Sequence, residues 1–131
     1  MIFVDTGVWY SAHVVEDPSY DRCDALLATP AGRLVTTDYV VDELLTLLIK
    51  RGQRPVARML GPLLLSERMA KIIWVERDDV SAAMQIFEQF DDKRWSFTDC
   101  VSYTVMKRLG ITEAFALDDD FRQFGFLNIQ P

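Results

Sequence analysis

An α/β fold with a central parallel sheet is predicted by three observations. Short apolar runs alternate with stretches of helical periodicity along nearly the whole chain, the order that βαβ crossovers produce. The runs are continuously apolar, as in strands buried on both faces, and do not alternate with polar residues. Each is closed within a few residues by a turn signal or a helix start.

Taken in order, Ile2-Phe3-Val4 is a buried strand ending at Asp5-Thr6-Gly7. Val8 to Val15 gives one or two helical turns, and Asp17-Pro18-Ser19 reopens a helix with Tyr20, Cys23, Leu26 and Leu27 at helical spacing. Thr29-Pro30-Ala31-Gly32 stops it, and Arg33 to Thr36 is a second strand. A helix from about Thr37 to Lys50, capped by Thr37 or Asp38 and ended by Gly52, is apolar over more than one face. Arg54 to about Arg68 is helical, with Gly61-Pro62 expected to kink or restart it. Ala70 to Val75 is a third strand. Asp78-Asp79 opens a helix with Ala83, Ile86, Phe87 and Phe90 on one stripe. Asp91 to Trp95 is a polar loop, after which Ser96-x-x-Asp99 matches a capping box for a helix closed by Gly110. Ala114 to Leu117 is a fourth strand, Asp118-Asp119-Asp120 a loop, Phe121 to Phe124 a turn, and Phe126 to Ile129 a short last strand.

A length of 131 residues fits one domain, residues 1–131, able to bury a core without disulfides. Half the residues are hydrophobic, which excludes a disordered chain. The apolar runs are too short to span a bilayer, and the chain opens on a strand without a signal-peptide pattern. Cys23 and Cys100, far apart and without metal-ligand spacing, read as small buried hydrophobes and fit a reducing cytoplasm. The net charge of -6 argues mildly against a basic nucleic-acid-binding surface. Four of the six excess negative charges, however, belong to the acids considered next.

Asp5, Glu43, Asp99 and Asp118 lie where the chain passes between strand and helix. Asp5 ends the first strand and Asp118 the fourth. Asp99 lies in a first helical turn, and Glu43 lies one to two turns into the helix after the second strand. Helical side chains lean toward their own N-terminus, so all four can reach the carboxyl edge of the sheet. Acids gathered there repel one another unless shared protons or a divalent cation offset the charge. The chemistry implied is metal-assisted work on phosphodiesters by Mg²⁺, or Mn²⁺. Each acid also has a structural reading: Asp99 as a cap, Glu43 as a solvated helix acid, Asp118 as one of three loop acids. Asp5 is hardest to explain otherwise, because an acid directly after a buried strand is costly without a partner.

Other constellations are missing. No G-x-x-x-x-G-K-[ST], G-x-G-x-x-G or G-x-S-x-G occurs. His13, the single histidine, reads as a surface residue, and Asp5 followed by Thr6-Gly7-Val8 argues against a phosphoaspartate enzyme. Basic residues cluster at Lys50, Arg51, Arg54 and Arg58, and again at Lys93 and Arg94 beside Trp95. Arg51, Arg54, Lys93 and Arg94 are candidate RNA contacts, with a solvated helix face as the alternative.

Val4-Asp5-Thr6-Gly7, Val41-Asp42-Glu43-Leu44, Ser96-Phe97-Thr98-Asp99-Cys100 and Ala116-Leu117-Asp118-Asp119-Asp120-Phe121 with Phe124-Gly125-Phe126 resemble, in order and spacing, the motifs of PIN-domain nucleases. The small size is similar to toxins of the VapC type. The resemblance implies a three-layer α/β/α fold with a parallel sheet of four to five strands. It implies Asp5, Glu43, Asp99 and Asp118 as the catalytic acids, with Asp5, Asp99 and Asp118 holding Mg²⁺. Thr98 and Asp120 are auxiliary groups. It also implies a Mg²⁺-dependent endoribonuclease that is the toxin of a toxin–antitoxin pair, with RNA as substrate. Many relatives carry Ser or Thr two residues before the fourth acid, where this chain has Ala116. A catalytically silent RNA- or protein-binding module is the alternative reading, and a small-molecule phosphatase a more distant one. The apolar surface of the Thr37–Ile49 and Arg54–Leu65 helices predicts a homodimer or a groove for a partner helix, and the resemblance implies a cognate antitoxin.

Overall fold

A computed structural model describes residues 1–125 and 128–131. The chain begins with β1 (Ile2–Val4), α1 (Thr6–His13) and α2 (Tyr20–Leu26), then a 3₁₀ turn at Ala31–Arg33. It continues through β2 (Leu34–Thr37), α3 (Asp38–Lys50), α4 (Arg54–Leu65) and β3 (Lys71–Ile73). The second half holds α5 (Arg77–Gln89), α6 (Phe97–Leu109), β4 (Glu113–Phe115), α7 (Asp120–Gln123) and β5 (Asn128–Gln130).

The five strands pair in parallel in the order β3-β2-β1-β4-β5. The chain winds outward from β1 to β3, crosses back, and winds outward again through β4. Right-handed crossovers therefore set α1–α4 on one face and α5–α7 on the other. The packing agrees: α1 meets α2 and α3, α3 meets α4, and on the other side α6 meets α5 and α7. This is the three-layer α/β/α arrangement the sequence predicts. Phe3, Val4, Val8, Trp9, Leu34, Val35, Leu44 and Leu60 are enclosed in the larger core cluster. Ala83, Cys100, Val101 and Val105 form a second cluster between α5 and α6. An Arg108–Asp79 ion pair, with Nε–Oδ1 at 2.8 Å and Nη2–Oδ2 at 2.9 Å, ties these two helices together. No helix among the described residues is long and apolar enough to cross a membrane.

Some boundaries differ from expectation. α1 starts at Thr6, because Asp5 takes the N-cap position in extended geometry. The third and fourth strands are only three residues each, Lys71–Ile73 and Glu113–Phe115, and Phe121 lies in a short helix. Gly61-Pro62 does not interrupt α4, which is continuous from Arg54 to Leu65. Proline disfavours helical geometry in the preceding residue by crowding that residue's N–H and Cβ, and Gly61 has no Cβ to crowd. The helix ends instead at Leu65, and the chain turns away at Glu67, held at φ 59° with its N–H on the Leu64 carbonyl and that of Arg68 on Leu63. Of the expected last strand, Phe126 and Leu127 lie outside the described residues, as does the Phe126 end of the fourth motif.

Candidate functional site

The strand order reverses between β1 and β4, and open α/β sheets bind ligands in the crevice at the carboxyl ends of such strands. Asp5 follows β1 directly. Its backbone N–H donates to the Phe115 carbonyl of β4 at 3.0 Å, and its carbonyl accepts from Val8 and Trp9 as α1 begins. The side chain is thereby fixed in the crevice, 4% exposed, with Oδ1 buried and unpartnered. Thr6, beside it, also has a buried hydroxyl without a partner.

Asp99 reaches the same edge from α6. Ser96 Oγ accepts from the Asp99 N–H at 3.0 Å, and Asp99 Oδ2 accepts from the Ser96 N–H at 3.0 Å. The capping box thus holds one carboxylate oxygen of a residue 7% exposed. Structural and chemical readings of Asp99 are both served by one geometry.

Glu43 projects from α3, whose first turn is capped by the Thr37 hydroxyl accepting from Val40 at 3.1 Å. Asp118 is exposed beyond β4 and accepts from the Asp120 N–H at 3.3 Å. The electrostatics show that these groups share one field. Burial, then the Asp99, Asp118 and Glu43 carboxylates, push the Asp5 carboxyl well above its usual range, which the Thr6 backbone N–H only partly offsets. Burial lifts Asp99 to about 7; Asp118, Glu43 and Asp120 add to the rise, and the hydrogen bond from Ser96 opposes it. Asp120 is raised by partial burial and by Asp118 and Asp119.

Beside the acids runs a groove of about 330 Å³ lined by Asp42, Glu43, Thr46, Leu47, Lys50 and Thr98. It joins Glu43 and Thr98 to a cation, Lys50, on the same face of α3. Neither Arg51 nor Arg54, the first residue of α4, lines this groove. Arg51 lies over the Tyr10 ring at 4.8 Å, roughly 12 Å of helix rise beyond Glu43. Lys93 and Arg94 sit in the loop leading into α6. Trp95 is buried, its indole N–H donating to Gln123 Oε1 at 3.2 Å; an open stacking platform is not its role.

The donor set suits a hard divalent cation, which takes carboxylate oxygens and water. The unpartnered Oδ1 of Asp5, and two buried acids whose protons are retained to unusually high pH, fit a place where positive charge is wanted. Among the described residues no three acidic, histidine or cysteine side chains are gathered tightly enough to hold a metal ion as they stand. Sequence reasoning missed the Thr6 hydroxyl, and also Thr36, whose hydroxyl donates to the Val4 carbonyl at 3.1 Å beneath Asp5. Threonines at strand ends carry no signal that separates such roles from ordinary β-propensity.

A PIN-domain family profile matches residues 2–127. The chain is 30% identical over 131 residues to the 23S rRNA-specific endonuclease VapC20 of Mycobacterium tuberculosis, in both the CDC 1551 and H37Rv strains, covering 100% of this chain and 99% of that protein. It superposes on the crystal structure of M. tuberculosis VapC20, described as a sarcin-ricin loop cleaving toxin, with TM-score 0.91 at 27% identity over 100% of both chains. The structure of FitAcB from Neisseria gonorrhoeae matches with TM-score 0.70 at 15% identity, over 100% of this chain and 97% of that one, a likeness of fold.

Proposed function

This chain belongs to the PIN-domain family, and from that premise we propose that it is a divalent-metal-dependent endoribonuclease, the toxin of a toxin–antitoxin pair. The observation that carries the reading is the convergence at the topological switch point. Asp5 and Asp99 are buried there, with raised carboxyl pKa values and Asp5 Oδ1 unpartnered. Asp5, Asp99 and Asp118 would hold Mg²⁺ or Mn²⁺, with Glu43 completing the shell or orienting water. When bound, such a cation offsets phosphate charge and lowers the pKa of water. The chain's own residues do the rest. Lys50 neutralises a phosphate in the groove shared with Glu43 and Thr98. Glu43 orients a water in line with the scissile P–O3′ bond. Attack at phosphorus breaks that bond, leaving a 5′-phosphate and a 3′-hydroxyl. Thr98 and Asp120 assist as auxiliary groups.

The name of the relative that matches at full length makes 23S rRNA the first RNA to test. Ile49, Met59 and Leu65, exposed on α3 and α4, support a homodimer or an antitoxin helix on that face. Ala116, where many relatives carry Ser or Thr two residues before the fourth acid, favours a second reading, a silent binding module. One experiment separates the two. Cleavage of RNA in Mg²⁺ or Mn²⁺, abolished by chelator and reduced by about two orders of magnitude in Asp5→Asn and Asp99→Asn, supports the nuclease. Equal cleavage by the variants removes the site assignment. No Mn²⁺ heat by calorimetry near pH 8 favours the silent module.

A further inference from the structure

The stripe Ala83-Ile86-Phe87-Phe90, on α5 and its C-cap, is only partly used by the core. Ala83 is buried, while Phe87 and Phe90 remain 44% and 37% exposed. Together they line a cavity of about 210 Å³ with Asp91, Lys93, Trp95 and Cys100. Its back wall is fixed: Trp95 is hydrogen-bonded to Gln123 and packs on Phe124 with centroids 4.3 Å apart. Phe90 leans on Trp95 at 5.3 Å, and Phe87 meets Phe97 edge-on at 5.8 Å. Cys100 lines the cavity beside the second core cluster, and its thiol, raised by burial and by Asp99 to about 11, stays neutral at physiological pH. Asp91 and Lys93 are exposed, and neither enters an ion pair among the described residues.

We propose that this cavity takes an unpaired guanine base of the RNA substrate, stacked on Phe87 and Phe90, with Asp91 reading the base and Lys93 holding its phosphate. The inference rests on the nuclease reading above and adds a determinant of base preference to it. Exposed aromatic faces stack bases of any kind, so rings alone would not choose. The charges would. A carboxylate accepts from both N1–H and the N2 amino group on the Watson–Crick edge of guanine, a paired donor edge that adenine, cytosine and uracil lack. An ammonium at the same mouth answers the phosphate. Cys100 on the cavity wall follows Asp99 in α6, so the helix that carries one catalytic acid also carries part of the cavity lining.

The test uses the full chain without metal. The indole N–H resonance of Trp95 is followed by NMR while guanosine, adenosine, cytidine and uridine 5′-monophosphates are added in turn. A saturable shift that is strongest with the guanosine nucleotide is expected. The Phe87→Ala/Phe90→Ala double variant should weaken it about tenfold. Asp91→Asn, at an exposed loop position that puts no fold at risk, should reduce the guanosine response to that of adenosine. Equal responses to all four nucleotides, no shift, or an unchanged preference in Asp91→Asn would overturn the proposal. Failure of the nuclease reading is separate: RNA left uncut in metal, with the guanosine response intact, strikes at hydrolysis and leaves the cavity's base preference standing.

Discussion

At the scale of the residue, Asp5 and Asp99 make the site expensive. Their carboxyls keep protons to higher pH in the folded chain than in the unfolded one, with Asp99 at about 7 against an ordinary 3.8. The folded state therefore binds these protons more tightly. The stabilisation is full below the ordinary carboxylate range and is lost as pH rises through about 7. In chelator, Tm should fall between pH 5 and pH 8. Asp99→Asn, whose amide oxygen can still accept from Ser96, should flatten that slope and raise Tm at pH 8; a wild-type Tm that climbs over this window would contradict the assignment. Asp5 was legible in the sequence because an acid placed directly after Ile2-Phe3-Val4 has no ordinary explanation. Asp99 was legible twice, as cap and as motif. The cation of the groove, Lys50, was visible only as one of several basic residues, because its sharing a groove with Thr98 depends on α3 and α6 meeting in space.

At the scale of the element, helix periods were read more accurately than strand lengths. Three-residue strands such as β3 and β4 have too few positions to mark their ends, whereas α6 carries its own start and stop in Ser96 and Gly110. Ser96→Ala should cost about 1 kcal/mol and also lower RNA cleavage, because Asp99 loses the partner that orients its backbone; Ser96→Thr should restore both, as measured by urea melts and initial rates. Pro62 was expected to kink or restart the helix, and α4 runs through it without a restart; a rule about proline is also a rule about its predecessor. Two substitutions check this. Pro62→Ala should stabilise by about 1–3 kcal/mol by restoring a helical N–H. Gly61→Ala sets a helix-propensity gain of about 1 kcal/mol against a Cβ 3.3 Å from Leu45 Cδ2 and against the Pro62 ring, so it should stabilise much less than an ordinary helical Gly→Ala while Pro62 is present. A double-mutant cycle showing no coupling between them would dismiss the explanation. On α5 the period located one apolar stripe, but a period does not say what covers it, and Phe87 and Phe90 are left partly exposed.

At the scale of the whole molecule, the question is how a chain of net charge -6 can bind a polyanion. The strand order answers part of it. Reversal between β1 and β4 draws residues from positions 5, 43, 99 and 118 into one field, and four of the six excess charges fall there. If a divalent cation belongs to this field, loading must release the protons that Asp5 and Asp99 retain. Affinity should then depend on pH in the sense opposite to apo stability: weak at pH 6, strong at pH 8. Mn²⁺ at a hundred times its Kd should add about 2.7 kcal/mol to unfolding stability at pH 8, and much less at pH 6, where protons compete. Calorimetry in two buffers of different ionisation enthalpy should show proton release on binding near pH 6.5. Asp5→Asn should remove most of both effects while leaving the apo fold intact. Mn²⁺ stabilisation that is independent of pH, or undiminished in Asp5→Asn, would move the metal away from these acids and return them to the role of a strained but purely structural cluster.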